Sequence, residues 1–470
     1  MTPPVSQPLD TDFARHREAF VRSPFPAAGD RIDLLGRLEA LVKENAGAWA
    51  DAISRDFGNR SRHETQLLEL FPSLEGIRHA RRHLRRWMRP ERRSTSLWFL
   101  PGSSRIVPQP LGVVGIVVPW NYPLYLAVGP LVAALAAGNR AMVKMSETTP
   151  ATGALLADLA ARYFEGGEIS VVNGGPDVAQ AFCRLPFDHL LFTGSTGIGR
   201  HVMRSAAENL TPVTLELGGK SPAIVGRGFP VGEAAGRVMY GKCLNAGQTC
   251  VAPDYVLVPR ESEQAFVESA RLAVAALYPT LARNDDYTSI VDERHRQRLA
   301  SLLVDAERKG ARATEINPAG EDLAAAGKRA PTLLTGVDDS MDVMREEIFG
   351  PLLPVIPYDR LEDAIAFVNA RPRPLALYVF ENDRGAVDQV IRNTVSGGVT
   401  VNETILHIAQ DDLPFGGVGA SGMGHYHGRE GFDTFSKRKP VFRQSGVNGL
   451  KLFRAPYGGR FDRLVRLLLR

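Results

Sequence analysis

An uncharged stretch from residue 111 to residue 138 constrains the fold of this 470-residue chain more than any other segment. Its length would suffice to cross a bilayer. Three prolines and an asparagine interrupt it, however, and proline breaks a continuous helix. We therefore predict a buried strand over 112–118, a turn, and a buried helix over 124–137, because strands that are buried on both faces form unbroken apolar runs.

Strands and helices alternate after this stretch. The apolar segments 141–145, 169–173 and 189–194 are each followed by a helical pattern, and such alternation predicts a parallel, doubly wound sheet. A second α/β run begins after 213–219. The chain is therefore expected to hold two α/β units.

The segments that precede the uncharged stretch have other patterns. Residues 10–58 and 63–90 place apolar side chains at helical spacing. Residues 94–110 are β-prone and contain several Pro and Gly residues, which predicts extended arms. Eight arginines between residues 78 and 93 fit one face of a helix. We interpret them as a solvated face, with a patch for a polyanion as the alternative.

Charge and cysteine content narrow the class of protein. The net charge of +4 is small for this length, so we expect no nucleic-acid partner. The three cysteines, Cys183, Cys243 and Cys250, form no CxxC pair and no metal-ligand spacing, so we expect no disulfide framework and no metal. Their odd number and an N-terminus without an apolar signal core favour a cytoplasmic location.

A glycine-rich turn follows the strand at 189–194. The sequence FTGSTGIGR, residues 192–200, ends a strand and begins a helix. Glycines allow a close backbone approach, and a helix N-terminus attracts a pyrophosphate. Thr196 replaces the second glycine of the usual G-x-G-x-x-G pattern, and glycine-rich turns without a nucleotide are common. A dinucleotide site and an ordinary turn therefore both remain open on this motif.

Lys144 and Glu147 follow another buried strand, at its carboxyl end. Ligands of open α/β sheets bind at that end. Glu147 could accept hydrogen bonds from ribose hydroxyls and Lys144 could donate to them. The alternative is an ordinary solvated loop.

Cys250 ends the motif LNAGQTC, residues 244–250. A thiol adds reversibly to an aldehyde, and the thiohemiacetal can lose a hydride to a nicotinamide and become a thioester. We expect neighbouring N–H groups or a helix start to lower the thiol pKa. Cys183 and Cys243 are interpreted as small buried hydrophobes.

Glu216 and Asn121 complete a catalytic set. Glu216 follows an apolar strand beside two glycines, so we expect partial burial that raises its pKa and suits a general base for thioester hydrolysis. Asn121, in the proline-flanked turn PWNYP, could donate its amide N–H₂ to an oxyanion, together with the backbone N–H of Cys250. The alternatives are a solvated strand end for Glu216 and a turn-stabilising role for Asn121.

Six motifs in order give a resemblance to a known family. These motifs are PWNYP, FTGSTGIG, LELGGKSP, NAGQTC, EEIFGP (346–351) and PFGGVGASGMG (414–424). Over residues 12–445 the chain resembles aldehyde dehydrogenases. NAGQTCVAPDYVL and the compact length resemble the class 3-like branch. DFGNRSRHET, together with the run that begins LPFGGVGASGMG, resembles bacterial coniferyl aldehyde dehydrogenases.

The resemblance implies an α/β fold of three domains and a homodimer. The implied parts are a Rossmann-like NAD(P)-binding domain over 10–93 and 109–215, a catalytic domain over 216–400, a small β bridging and oligomerisation domain over 94–108 and 401–445, and a basic amphipathic tail over 446–470. The tail segment RFDRLVRLLLR is too short and too charged to span a membrane. We favour a docked terminal helix over one that lies on a membrane surface.

The resemblance also implies residue roles. Cys250 is the nucleophile, Glu216 the base and Asn121 the oxyanion donor, while Lys144 and Glu147 hold the adenosine ribose. The remaining implied cofactor residues are Gly194, Ser195, Thr196, Gly197, Ile198 and Gly199 at the pyrophosphate and Trp120, Glu347 and Phe349 at the nicotinamide end. Glu147 would repel a 2′-phosphate, which favours NAD over NADP, although NADP stays possible.

The expected activity is oxidation of a small-molecule aldehyde to the acid, with an aromatic aldehyde such as coniferaldehyde or a medium- to long-chain aliphatic aldehyde as substrate. Candidate lining residues of the substrate tunnel are Tyr122, Tyr125, Tyr240, Ile405 and His407. One alternative is acyl transfer to CoA on the same fold, against which the retained Glu216 argues. The other is a non-catalytic scaffold, against which the presence of Cys250, Glu216 and Asn121 argues.

Overall fold

A computed structural model of the protein describes residues 6–469. The first five residues and Arg470, which belong to the N-terminal segment and the tail discussed above, lie outside the described residues. The helices are α1 Ser6–Arg22, α2 Ala28–Glu44, α3 Ala46–Phe57, α4 Arg62–Thr65, α5 Phe71–Trp87, α6 Tyr125–Ala137, α7 Pro150–Tyr163, α8 Pro176–Cys183, α9 Thr196–Ala207, α10 Val231–Cys243, α11 Glu263–Leu277, α12 Glu293–Arg308, α13 Asp342–Arg345, α14 Leu361–Asn369, α15 Arg384–Asn393, α16 Gly428–Thr434 and α17 Gly459–Leu468.

The strands form three sheets. They are β1 Glu91–Arg93, β2 Ser103–Pro110, β3 Val113–Val117, β4 Arg140–Lys144, β5 Ile169–Val172, β6 His189–Gly194, β7 Val213–Leu217, β8 Pro222–Val225, β9 Tyr255–Pro259, β10 Arg312–Glu315, β11 Thr332–Thr335, β12 Leu352–Tyr358, β13 Ala376–Phe380, β14 Gly398–Val401, β15 Gly422–Met423 and β16 Ser436–Arg443.

The first sheet is parallel except at one edge. Its order is β15-β7-β6-β3-β4-β5, and only β15 runs antiparallel to its neighbour. The chain builds outward from β3 to β5 and then returns to place β6 and β7 on the other side of β3. This reversal leaves a crevice at the carboxyl ends of β3 and β6, where open α/β sheets bind ligands. The predicted parallel, doubly wound sheet is confirmed.

The uncharged stretch forms β3 and α6, close to the predicted bounds. Helix α6 is apolar on every side and packs beneath the sheet against α2 and α5. Gly138, in the left-handed conformation that glycine adopts without strain, ends it. Buried charges hold both ends: the carboxylate of Glu69 accepts its first free N–H groups, and the guanidinium of Arg31 donates to its last carbonyls.

The second sheet follows directly after β7. Its order is β10-β11-β12-β9-β8-β13-β14, and all pairs are parallel except β10 with β11. The chain therefore crosses from the first sheet to the second through Gly218–Ser221. Any residue at the carboxyl end of β7 consequently lies where the two sheets meet.

The third sheet is small and antiparallel. Strand β2 pairs with β1 on one side and along its whole length with β16 on the other, from Ser103 opposite Arg443 to Pro110 opposite Ser436. The extended arm before the uncharged stretch is thus paired with strand β16, in the C-terminal part of the chain. Large apolar side chains next to this sheet are exposed, namely Leu97, Trp98, Phe99, Leu100 and Phe442.

The arginine-rich segment is helix α5. It buries Ile77, Ala80, Leu84 and Trp87 in the core, which leaves the arginines on the outer face. Two of them form ion pairs with one carboxylate of helix α2. This pairing agrees with the interpretation of a solvated, charged face.

The predicted docking of the C-terminal tail is not what the structure shows. Helix α17 buries none of its described residues. It packs against the short 3-10 turn Gly449–Phe453. The ring of Phe461 packs tilted against Tyr457 and edge-on against Phe453, with ring centres 4.7 and 6.5 Å apart. The apolar face of α17 thus packs locally instead of on the protein body. Among the described residues no helix is long and apolar enough to cross a membrane.

Asn139 connects three parts of the fold. Its Oδ1 accepts the N–H groups of Leu111 and Gly112 at 2.7 and 2.9 Å, just before β3. Its Nδ2 donates to the carbonyl of Phe435 at 2.8 Å, just before β16. The side chain is buried, so water cannot replace these bonds.

Replacing Asn139 by alanine should lower the free energy of unfolding by roughly 2–5 kcal/mol, because it leaves buried backbone groups unpaired. Urea unfolding followed by tryptophan fluorescence measures the change. The control is Asn209→Ala, which removes one hydrogen bond from an exposed asparagine and should cost less than about 1 kcal/mol. Equal losses in the two variants would contradict the role given to Asn139.

Candidate active site

Cys250 lies at the end of a tightly constrained loop. After α10 the backbone passes through three consecutive left-handed residues, with φ of 51° at Asn245, 51° at Ala246 and 75° at Gly247. A Cβ on Gly247 would lie 2.3 Å from the carbonyl oxygen of Gly350, so only glycine fits. The side chain of Gln248 fixes the loop by donating to Asn245 and Ser289 and accepting from Val291.

The thiol of Cys250 does not have the lowered pKa that the sequence led us to expect. Burial raises the pKa of Cys250, and the carboxyls of Glu216 and Glu347 raise it further. The backbone N–H groups of Cys250 and Val251 act in the predicted direction, but their effect is smaller. The expectation considered only the local chain, whereas the two carboxyls arrive from distant segments.

Glu216 lies near the carboxyl end of β7, opposite Thr193 of β6 and Gly422 of β15. Its side chain is buried, with 2% exposure. Among the described residues neither carboxylate oxygen has a hydrogen-bond partner or a cation. Burial raises the pKa of Glu216 well above its usual value. The predicted burial and direction of the shift are confirmed, while the predicted role is a matter for the proposal below.

Asn121 lies in the turn after β3 and is also buried. Its Nδ2 donates to the carbonyl of Gln248 at 3.2 Å, which places the amide against the loop of Cys250. Its own carbonyl accepts from Arg60 at 2.9 Å and from Asn245 at 3.1 Å. The structure thus brings the predicted amide donor and the predicted nucleophile together.

The EEIFGP segment borders the same site. Oxygens of Glu347 lie so close to Gly218 that a Cβ there would be 2.1 Å from one of them. Burial raises the pKa of Glu347 to about 8. Phe349 is left-handed, with φ of 52°, and packs edge-on against Trp120 at a ring distance of 5.3 Å.

The glycine-rich turn forms an open cradle at the carboxyl end of β6. Ser195 is the N-cap of α9, and Thr196 donates to the carbonyl of Ala420. A Cβ on Gly199 would lie 2.7 Å from Leu217, whereas a Cβ on Gly197 would meet nothing within 4 Å. Gly199 therefore allows close packing of α9 on β7, and Gly197 leaves space above the helix N-terminus. This geometry fits a pyrophosphate.

Lys144 and Glu147 occupy the neighbouring loop after β4. The ammonium of Lys144 is buried, donates to the carbonyls of Met145 and Gly174, and lies 3.9 Å from the carboxylate of Glu147. Glu147 is half exposed. A buried lysine beside an exposed carboxylate can receive and donate hydrogen bonds at the crevice edge, as a ribose requires.

The predicted tunnel residues fall in different environments. Tyr122 donates to or accepts from Thr249 at 2.7 Å, and Tyr125 is within 3.2 Å of His427 Nε2. Tyr240 is largely exposed, so the structure gives no support for a lining role. Ile405 is left-handed, with φ of 67°, and His407 is hydrogen-bonded to Thr400.

Several neighbours of the site were not predicted. Tyr426 and His427 follow the last glycine motif; their rings pack edge-to-face, and that of His427 is tilted against Tyr125. The phenol of Tyr378 donates to the carbonyl of Val251. The run of three ring-bearing residues HYH after GMG was a visible signal. Arg60, by contrast, had no signal, because nothing in its local pattern shows that it is buried.

Comparisons with known proteins agree with this geometry. The aldehyde dehydrogenase family model matches residues 13–441. The chain is 56% identical over 458 residues to a probable coniferyl aldehyde dehydrogenase of Pseudomonas aeruginosa, covering 97% of this chain and 95% of that one.

Solved structures agree as well. Staphylococcus aureus AldH in a substrate-bound state is 37% identical with a TM-score of 0.91, covering 98% of this chain and 99% of its own. Mycobacterium tuberculosis aldehyde dehydrogenase complexed with NAD⁺ is 31% identical with a TM-score of 0.86, covering 94% and 92%. With a family match over most of its length, this chain belongs to the aldehyde dehydrogenase family and is an NAD(P)-dependent aldehyde dehydrogenase.

Proposed function

We propose that Cys250 is the nucleophile, Glu216 the general base and Asn121 the oxyanion donor of this aldehyde oxidation. The observation that carries the proposal is the pair formed by Cys250 and Glu216: burial, and then the Glu216 carboxyl, raises the pKa of the Cys250 thiol, and that carboxyl is itself buried without a hydrogen-bond partner among the described residues. A buried carboxyl without a partner lowers the stability of the fold. A catalytic role is the best explanation for such a carboxyl beside a thiol.

The reaction can be written in terms of these residues. The sulfur of Cys250 adds to the aldehyde carbon, and the thiol proton passes to the carboxylate of Glu216, which releases it to solvent before the later hydrolysis. The amide of Asn121 then stabilises the oxygen that becomes negative. The former aldehyde carbon must then lose a hydride, and bound NAD or NADP would supply the hydride acceptor. Glu216 next takes a proton from water, which adds to the thioester, and breaking the carbon–sulfur bond releases the acid.

The cofactor is proposed to bind at the crevice of the first sheet. Ser195 and the open space at Gly197 are assigned to the pyrophosphate, with Gly194, Thr196, Ile198 and Gly199 in the same turn. Lys144 and Glu147 are assigned to the ribose. Trp120, Glu347 and Phe349 are assigned to the nicotinamide end, because the carboxyl of Glu347 is close enough to Cys250 to raise its pKa and Phe349 packs against Trp120.

We propose an aromatic aldehyde of the coniferaldehyde type as substrate. Burial and the charge of Asp411 raise the pKa of Tyr125, and Cys250 and Glu216 add to the rise, which supports a position near the reacting sulfur. Tyr125, Tyr426 and His427 form one aromatic cluster. Aromatic walls favour flat aromatic ligands, and the Pseudomonas aeruginosa relative is named for coniferyl aldehyde.

We also propose a homodimer, the domain boundaries given above and a cytoplasmic location. The exposed apolar side chains beside the third sheet, Trp98 and Phe442 among them, support an interface between two copies, since large exposed apolar patches mark contacts. The three cysteines are unpaired, which suits a reducing compartment. Sedimentation equilibrium tests the dimer directly.

Cys250→Ala should abolish NADH formation, because no other group near the site offers a sulfur nucleophile. The assay uses coniferaldehyde, benzaldehyde and short to long aliphatic aldehydes with NAD and no CoA. The control Cys183→Ala removes a cysteine buried in the core and should keep at least about half of the activity. The proposed substrate class is wrong if the aliphatic series exceeds coniferaldehyde in kcat/KM, and a fully active Cys250→Ala would remove the proposed nucleophile.

Glu216→Gln should leave acylation and slow hydrolysis of the thioester by roughly 10²- to 10⁴-fold. Stopped-flow mixing should then show a burst of about one NADH per subunit and a slow steady state. Because the pKa of Glu216 is raised, the wild-type steady rate should increase with pH well above the usual glutamate range. That increase should be smaller in the variant. Absence of a burst, with cofactor binding intact, would count against the assigned role.

Glu147→Gln should improve the use of NADP relative to NAD by about fivefold. Removing one exposed negative charge near a 2′-phosphate relieves about 1 kcal/mol of repulsion. The ratio of kcat/KM values for the two cofactors measures the effect. Glu362→Gln, on α14 of the second unit, is the charge-matched control and should leave the ratio unchanged. An unchanged ratio in Glu147→Gln would place Glu147 away from the ribose.

A further inference from the structure

Three ionisable side chains, Arg60, Glu64 and Glu69, are buried together behind the active site. They come from the short segment that includes α4 and the π-helical turn Gln66–Leu70. Burying three charges is costly, and replacing such groups with apolar side chains often leaves a protein as stable. The burial of these three side chains therefore suggests that they fix the geometry of the loops that they contact. π-Helical turns are also frequent at functional sites.

Arg60 joins the other two to the turn of Asn121. Its Nη1 donates to the carbonyl of Asn121 at 2.9 Å and lies 3.2 Å from Glu69. Its Nε is 3.9 Å from Glu64. The guanidinium also covers the ring of Tyr122 at 4.7 Å. The planar guanidinium of Arg60 thus contacts Asn121 and Tyr122, two neighbours in one turn. The side-chain amide of Asn121 lies against the loop that carries Cys250.

Each carboxylate holds a different loop. Glu69 accepts the N–H groups of Leu124 and Tyr125 at 2.8 and 3.1 Å, where the Asn121 turn enters α6. Glu64 accepts the N–H of Asn245 at 3.0 Å, at the first of the left-handed residues before Cys250. The carboxylate that holds the loop of the oxyanion donor and the carboxylate that holds the loop of the nucleophile therefore both lie within ion-pair distance of the same guanidinium, at 3.2 and 3.9 Å.

We propose that Arg60 is a positioning residue that sets the distance between the Asn121 amide and Cys250 by holding both loops through Glu69 and Glu64. The proposal rests on the oxyanion role given to Asn121 above. Arg60 does not touch the reacting atoms, so its effect must pass through the Asn121 carbonyl and the two carboxylates that it contacts. A lysine keeps the charge but cannot reach the Asn121 carbonyl and both carboxylates with one planar fork.

A purely structural role has a matched control at the other end of helix α6. Arg31 is as deeply buried as Arg60 and donates to the carbonyls of Ala136 and Ala137 at 3.1 and 2.6 Å, at the opposite end of α6. Both arginines hold one end of α6 or its adjoining turn. Only Arg60 does so at the end that faces Cys250.

The experiment compares Arg60→Lys, Arg31→Lys, Asn121→Ala and the double variant Arg60→Lys/Asn121→Ala, all as full-length protein. The first-turnover rate of NADH formation is measured by stopped flow, the KM for NAD by steady-state assay, and stability by urea unfolding. A further variant, Glu64→Gln, keeps the shape of the carboxyl and serves if Arg60→Lys yields too little folded protein.

We expect Arg60→Lys to lower the first-turnover rate about 10- to 100-fold, the range typical of a small displacement of a catalytic group, with the KM for NAD within about twofold. Arg31→Lys should lose comparable stability but keep its rate within about twofold. In the Asn121→Ala background, Arg60→Lys should cause no further loss of rate, because there is no amide left to position. Glu64→Gln should lower the rate in the same direction.

Two results would overturn the proposal while leaving the proposed function intact. One is an equal loss of rate in Arg31→Lys and Arg60→Lys, which would mean a general effect of stability. The other is a double variant that loses the full product of both single effects, which would mean that Arg60 acts independently of Asn121. A wild-type rate in Asn121→Ala would instead overturn the oxyanion role itself, and this inference with it.

Discussion

Burial in the active site of this protein disfavours negative charge on its ionisable side chains. Glu216 and Cys250 lie in a region withdrawn from water, and burial raises the pKa of both. Two such groups close together cannot both ionise at low cost. The sulfur is therefore held mostly as a thiol, the form that resists oxidation. The same carboxyl that disfavours the thiolate is the one to which we assign the activation of water.

Holding groups in this unfavourable state requires a rigid frame. Left-handed backbone at Asn245, Ala246 and Gly247 fixes the approach to Cys250, and such conformations persist only where the surrounding structure enforces them. The enforcement comes from the buried Arg60, Glu64 and Glu69, together with the amide of Gln248. The parallel sheet contributes in another way. Because β3, β6 and β7 are parallel neighbours, their carboxyl ends lie at the same edge of the sheet, and this brings Asn121, the glycine-rich turn and Glu216 close together.

Two expectations changed once the fold was known, and both for reasons of tertiary contact. The thiol pKa of Cys250 was expected to fall because nearby N–H groups stabilise a thiolate. Those groups are present, but desolvation and two carboxyls from other segments outweigh them. The tail was expected to dock because its pattern is amphipathic. Its apolar face instead packs against a short turn of the same tail, since amphipathy shows that a helix has an apolar face and not what covers it.

The sequence by itself determined the alternation of strands and helices, the parallel sheet and the identity of the chemical groups, because periodicity, glycine placement and motif order are local properties of the chain. It indicated Cys250, Glu216 and Asn121 by residue type and by position after apolar strands. Only the tertiary structure decided that these three meet, that Glu216 lacks any partner among the described residues, and that Arg60 lies behind them. Burial and charge–charge distances depend on segments far apart in sequence, and no local pattern records them.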